Sequence, residues 1–156
     1  MDHEVELAVF EADDETRISF RRAMAEHLAA YHSWVTPGDF RELMVSLTSR
    51  SGELVGGLLG LTHGEWLYIE FVWVAESARL RGHGRHLLQV AEREAIARGC
   101  GRADLDTATS GADGFFRRCG YCVCGEIRDY IPGRHRYWLE KRLAHGDVRE
   151  SGGDRR

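Results

Sequence analysis

The stretch Val72-Trp-Val-Ala-Glu-Ser-Ala-Arg79-Leu-Arg81-Gly82-His-Gly84-Arg85-His-Leu-Leu88 constrains the fold more than any other part of this chain. An apolar run reads as a buried strand, two glycines read as a turn, and the apolar positions that follow recur at helical spacing. A strand that enters a helix through a glycine turn aims several backbone N–H groups, and the positive end of the helix dipole, at one point in space. Such a point attracts an anion, phosphate above all. Arg79, Arg81 and Arg85 place full positive charges at the same turn, either against that anion or on a solvated surface.

At 156 residues, 43% hydrophobic and 29% charged, the chain suits one compact domain that buries about two thirds of its unfolded surface. A single domain is expected over residues 1–145, and Gly146–Arg156, almost free of apolar residues, is expected to be a disordered tail. The net charge of −4 provides no global attraction to nucleic acid or to an anionic membrane. The longest apolar run, Leu54–Leu61, is too short to span a bilayer, and Met1-Asp-His-Glu4 has no basic leader pattern. A cytoplasmic protein without nucleic-acid or membrane partners is therefore expected. Cys119-Gly-Tyr-Cys122 has the two-residue gap of a zinc site, but no second such pair exists and Cys122 and Cys124 alternate along an expected strand, so no metal site is assigned.

Val5–Phe10 reads as a first strand, followed by a helix capped by Asp13 or Asp14 whose apolar face is Phe20, Met24, Leu28 and Tyr31. Thr36-Pro-Gly-Asp39 ends it. Leu43–Thr48 and Leu54–Thr62 read as strands of a hairpin around Ser49–Gly52, with Trp66–Val74 as a third antiparallel partner. From Gly84 to Arg98 the period becomes helical, with Gly84, Leu87, Leu88, Ala91 and Ala95 on one face, Arg85, Gln89, Glu92 and Arg93 largely opposite, and Gly99 as the stop. Ala103–Thr107 is a strand, made parallel to Trp66–Val74 by the helical crossover. A short helix over Gly111–Cys119 and two last strands, Tyr121–Ile127 and Tyr137–Leu143, complete a mixed α/β chain.

A glycine turn before a helix also opens dinucleotide folds and Walker loops. Here Leu87 stands where the dinucleotide pattern needs glycine or alanine, and no Gly-Lys-Ser/Thr follows. What fits is Arg79-x-x-Gly82-x-Gly84 after a strand, which resembles the Arg/Gln-x-x-Gly-x-Gly/Ala motif of the GNAT superfamily of acetyl-CoA-dependent N-acetyltransferases. The resemblance continues through Leu87-Leu88, Ala91-Glu92, the Arg98-Gly99 exit, Leu105-Asp-Thr107 and Ala112-x-x-Phe115-Phe116-x-x-x-Gly120-Tyr121, covering about residues 5–143.

This resemblance implies a central, mostly antiparallel sheet flanked by helices, with one parallel strand pair, Trp66–Val74 and Ala103–Thr107, that splays apart. It implies that the arm of acetyl-CoA lies in the splay against Val72, Trp73 and Val74, with its pyrophosphate on the amides of Leu80, Arg81, Gly82, His83, Gly84, Arg85 and His86. A homodimer is a family-level expectation. The resemblance also places Glu70 near the acceptor amine; an unpaired carboxylate in an apolar strand reads as a general base or substrate ligand, against a solvated or arginine-paired carboxylate. A backbone N–H of Trp73 or Val74 would polarise the carbonyl. Trp73 and Trp66 also read as core aromatics.

Two positions depart from the family pattern. Phe116 stands where many members carry the tyrosine that protonates the coenzyme thiolate, leaving water, Tyr121, Tyr130 or Cys119 for that role. Thr109 stands where an asparagine often contacts the coenzyme, and its hydroxyl would replace part of that bonding. The expected activity is transfer of acetyl from acetyl-CoA to a primary amine of a small molecule, by direct attack in a ternary complex, with Glu65, Glu70 and Asp39 available to receive a cationic amine. The alternatives are a non-catalytic acyl-CoA sensor and a protein N-acetyltransferase.

Overall fold

The computed structural model describes residues 9, 11, 13–29 and 40–143. The expected strand at Val5–Phe10 (apart from Val9), Tyr31, the Thr36–Asp39 break and the Gly146–Arg156 tail lie outside the described residues. The chain divides into two units, Met1–Asp39 and Phe40–Arg156. In the first, α1 (Asp14–Ala29) is capped by Asp13, whose carboxylate accepts the Thr16 N–H at 2.8 Å. That bond holds the Asp13 carboxyl below its ordinary range.

The second unit is built on a six-stranded sheet in the order β1-β2-β3-β4-β6-β5. The strands are β1 (Arg41–Thr48), β2 (Leu54–His63), β3 (Trp66–Val74), β4 (Arg102–Thr107), β5 (Cys122–Ile131) and β6 (Arg134–Arg142), with α2 (His83–Ala97) between β3 and β4 and α3 (Ala112–Arg118) between β4 and β5. Every neighbouring pair is antiparallel except β3 and β4, which are parallel as the crossover requires. The last hairpin is longer than expected: Ile131 pairs with Arg134 around a two-residue Pro132-Gly133 turn. Proline fixes φ at the first corner and Gly133, at φ 75°, takes the left-handed second corner.

The core lies between the sheet and α2, whose Leu87, Leu88, Ala91 and Ala95 pack with Leu58, Leu67, Ile69, Ala103, Leu105 and Leu139. Glu92, expected opposite this face, is instead buried. It accepts bonds from Lys141 Nζ at 2.7 and 2.8 Å and from the Tyr121 hydroxyl at 3.0 Å, and Lys141 Nζ also donates to the Cys119 carbonyl at 2.9 Å. Each member of the cluster therefore has a partner, the condition under which a buried charge is tolerated. At the other end of α2, Gly99 N–H reaches Ile96 O and Cys100 N–H reaches Ala95 O, both at 2.9 Å, closing the helix as expected.

The β2–β3 ladder is regular from Trp66 to Ile69 and from Phe71 to Val74, but Leu59 faces Phe71 while the next residue, Gly60, faces Ile69. Glu70 is the extra residue of a β-bulge. Alternation changes phase across it: Leu67 and Ile69 point into the core before the bulge, whereas Val72 and Val74 pack against it afterwards. Phe71 and Trp73 are turned outward and are 61% and 48% exposed, so Trp73 is not a core aromatic. Pairing of β3 with β4 stops at Ile69–Leu105, immediately before the bulge, and the two strands separate beyond it.

The Glu92 cluster generates a stability prediction. Lys141→Met should cost about 3 kcal/mol in denaturant unfolding, because Glu92 is left in the core with a phenol as its remaining partner. Tyr121→Phe, which leaves the ion pair whole, should cost about 1 kcal/mol.

Candidate active site

Two cavities open where β3 leaves β4. The first, about 540 Å³, is lined by the end of β3 (Val72–Val74), by Arg79, Leu80, Gly82, His83, Gly84 and Arg85 of the turn and helix start, and by Phe115 and Arg118 of α3. The second, about 390 Å³, is lined by Ile69–Val72, by Leu105–Thr109 and by Ala112, Phe116, Tyr130 and Arg136. Val72 lines both, so the two meet along β3 just past the bulge.

The turn that closes the first cavity follows from local sequence. Gly82 is the N-cap of α2 with φ 82°, a left-handed conformation that glycine adopts without strain, and the amides of the first helical turn have no carbonyl within the helix to bond. Leu80 also has a positive φ, 60°, and is fully exposed. Gly84 lines this cavity and also has a packing role. A Cβ there would lie 3.1 Å from Phe115 Cζ, so Gly84 is the place where α2 packs against α3.

The arginines divide in role. Arg79 Nε donates to the Val74 carbonyl at 3.0 Å, tying the turn to the end of β3, and Arg85 donates to the Arg118 carbonyl at 3.3 Å, at the C-terminus of α3 where a cation is favoured. Both still line the cavity, and Arg118 adds a third guanidinium that the sequence reading did not select. His83 is half-buried in the cavity wall, whereas Arg81 and His86 are exposed and line neither cavity. The first cavity thus combines unsatisfied helix amides with cationic side chains at one end and an apolar strand edge at the other, a lining that fits a long molecule with an anionic head.

In the second cavity Glu70, Thr109 and Phe116 come together. Glu70 is exposed to the cavity, and among the described residues no lysine or arginine lies within ion-pair distance of it. Phe116 is 8% exposed and packs edge-on against Phe115 and Tyr121. Glu65 sits at the opposite end of β3, where its carbonyl accepts Gly101 and Arg102 N–H, so it does not join this site; Asp39 lies outside the described residues. Asp106, Tyr130 and Arg136 were missed as a group, because nothing in their spacing announces that β4, β5 and β6 bring them together. Arg136 Nε donates to Asp106 at 2.6 Å, Arg136 Nη1 donates to the Tyr130 hydroxyl at 2.9 Å, and the Tyr68 hydroxyl donates to Asp106 at 3.2 Å. The bond to Asp106 holds the Arg136 guanidinium protonated, while burial, followed by the Asp106 charge, raises the Tyr68 phenol.

Two groups weighed as proton donors are placed away from both cavities. Tyr121 is 2% exposed and gives its proton to Glu92; burial and the neighbouring Glu92 push its phenol far above the ordinary tyrosine range. Cys119 faces Arg85, Glu92 and Lys141 on the other side of α3, and burial raises its thiol. Cys100, Cys119, Cys122 and Cys124 are all free, and no group of three or more metal-ligating side chains occurs among the described residues.

Comparison with known proteins covers most of the chain. The sequence model of the Acetyltransferase (GNAT) family matches residues 7–121. An acetyltransferase of Agrobacterium fabrum is 33% identical over 123 residues, 78% of this chain and 90% of that protein. The blasticidin-S acetyltransferase of Streptomyces morookaense is 39% identical over 93 residues, 59% of this chain and 68% of that protein. A crystal structure of an Agrobacterium tumefaciens protein assigned as an acetyltransferase superposes with a TM-score of 0.77 at 30% identity, over 89% of this chain and 99% of that one.

The placement of Tyr121 predicts an alkaline limit to stability. Its folded pKa is raised, so the protonated phenol is favoured in the folded state at every pH below the ordinary tyrosine value of 10.0, and that contribution is lost as pH rises beyond it. Unfolding free energy should therefore fall above about pH 10, and the fall should be shallower in Tyr121→Phe, as read by urea melts at stepped pH.

Proposed function

Because this chain belongs to the GNAT family of acetyltransferases and is an acetyl-transferring enzyme, we propose that it moves acetyl from acetyl-CoA to a primary amine of a small molecule, by direct attack in a ternary complex. One observation supports this reading: the sheet opens at the bulge, where Glu70 lines an acceptor-sized cavity that meets a cationic, amide-rich one at Val72, two residues further along β3. Acetyl-CoA, which the family uses, supplies the acyl group as a thioester and an anionic diphosphate as a handle. The Gly82 cap and the first amides of α2, with Arg118 and the partly engaged Arg79 and Arg85, hold the diphosphate. The free edge of β3 from Val72 to Val74 pairs with the arm, and a backbone N–H of Trp73 or Val74 faces the carbonyl oxygen, where a preorganised donor is worth about 3 kcal/mol.

Glu70 removes the proton of the attacking nitrogen, directly or through water. Its position as the extra residue of a bulge turns it out of the core, and the lack of a cationic partner among the described residues leaves the carboxylate available. The acceptor is cationic before it reacts, and Glu70 supplies the charge that receives it. Among the described residues no cysteine or serine lines either cavity, which supports direct attack over a covalent acyl-enzyme. The relative named for acetylation of blasticidin S supports a small-molecule acceptor over a protein.

Glu70→Gln keeps the shape of the side chain and removes the base. Turnover on a panel of amines should fall by about 10²-fold with acetyl-CoA affinity unchanged, and the acidic limb of the pH–rate profile should disappear. Near-unchanged turnover with the limb retained contradicts the assignment.

A further inference from the structure

Acyl transfer from a thioester leaves a sulfur that must be protonated, and the residues placed so far provide no donor. Phe116 has no labile proton, and Tyr121 is bonded to Glu92 inside the core. Resting on the acetyl-transfer reading above, we propose that Tyr130 is the acid that protonates the leaving sulfur, with Arg136 and Asp106 as its positioning residues.

The backbone first shows why Tyr130 is in the site at all. β5 and β6 pair regularly up to Ile127–Arg136 and again at Ile131–Arg134, so Arg128, Asp129 and Tyr130 oppose the single residue His135. Asp129 takes φ 50° within this irregularity, a left-handed conformation that an aspartate adopts at some cost. Bulges of this kind re-aim side chains. Here the phenol of Tyr130 lies beneath the Arg136 guanidinium, 4.9 Å from ring centre to Cζ, and lines the same cavity as Glu70 and Phe116.

The hydrogen bonds then fix the direction of the proton. Arg136 has no acceptor, so the 2.9 Å bond from its Nη1 uses a lone pair of the Tyr130 oxygen, and the hydroxyl proton must point elsewhere. Tyr130 is 46% exposed, with the cavity beside it. Arg136 cannot swing away, since its Nε is held by Asp106 at 2.6 Å and Asp106 is held by the Tyr68 hydroxyl. Among the described residues the other hydroxyls in the cavity wall belong to Thr107 and Thr109, aliphatic alcohols that are far weaker acids than a phenol. As the Tyr130 proton leaves, the charge that develops on its oxygen meets the fixed guanidinium.

The step balances. The amine nitrogen bonds to the acyl carbon, and the carbon–sulfur bond breaks with its electron pair on sulfur. The cationic acceptor first loses one proton to solvent and attacks as the neutral amine; Glu70 takes the proton that nitrogen sheds on bonding to carbon, and Tyr130 gives its proton to sulfur. A proton passing from Glu70 to the Tyr130 oxygen through cavity water restores both groups, with free thiol and amide as products.

Calorimetric binding of CoA and of desulfo-CoA, which lacks the sulfur, reads this contact without turnover. A phenolic hydrogen bond to sulfur should make the wild type bind CoA about tenfold more tightly than desulfo-CoA at pH 9, where more of the thiol is ionised. Tyr130→Phe should bring that ratio close to one while leaving desulfo-CoA affinity unchanged, and turnover should fall by about 10²-fold. Arg136→Gln should lower the ratio in the same direction. A Tyr130→Phe variant that keeps the wild-type ratio overturns the assignment of the acid alone, and an Arg136→Gln variant that keeps it overturns the positioning role. Absence of binding of either compound to the wild type overturns the acetyl-transfer reading and this assignment with it.

Discussion

At Leu59–Gly60 the β2–β3 ladder gains one residue on the β3 side, Glu70, and the side-chain alternation of β3 changes phase there. Three consequences follow from that single insertion. β3 turns away from β4 after Ile69, because a bulge increases local twist. The strand edge from Val72 to Val74 is released from β4, and Glu70 itself belongs to neither regular face. Gly60 makes this geometry attainable: a Cβ there would lie 2.8 Å from the Tyr68 carbonyl, closer than any side chain tolerates. The opening of the sheet and the placement of the proposed base are therefore one structural event.

The turn after β3 complements this opening. Arg79 and Arg85 direct guanidinium donors to backbone carbonyls, at Val74 and Arg118, so part of their charge is used to lock strand, turn and α3 into register. The neutral N–H groups at the start of α2, which are rigid and pay no side-chain entropy, remain to meet an anion. Behind them, Glu92 with Lys141 and Tyr121 links α2 to β6 and to the chain after α3. Two strand irregularities, at Glu70 in β3 and at Asp129 in β5, thus bring Glu70 and Tyr130, the proposed base and the proposed acid, to one cavity from opposite sides of β4.

The elements that sequence periodicity marks most strongly, β2, β3, α2 and the Gly99 stop, fall within one or two residues of their expected bounds, since each combines a clear period with a glycine boundary. The phase shift in β3 was not legible. Leu67-Tyr-Ile-Glu-Phe-Val-Trp-Val74 contains apolar residues on both parities, so alternation could not show that Phe71 and Trp73 face outward. Glu92 was misplaced because a charged residue on a helix is ordinarily read as solvated, and its partners Lys141 and Tyr121 are distant in sequence. The turn between β3 and α2, the proposed coenzyme end, is contiguous in sequence, and its strand-turn-helix shape was therefore readable. Asp106, Tyr130 and Arg136 come from three strands, and only the pairing of β4 with β6 and of β6 with β5 joins them.

Amide hydrogen exchange with and without acetyl-CoA tests the central claim, that the bulge frees an edge of β3 for the coenzyme while the start of α2 receives its phosphates. Acetyl-CoA should slow exchange within Val72–Val74 and His83–Arg85 and leave Leu67–Ile69, already paired on both sides, unchanged. Absence of protection at both segments, or protection confined to β5 and β6, would contradict it.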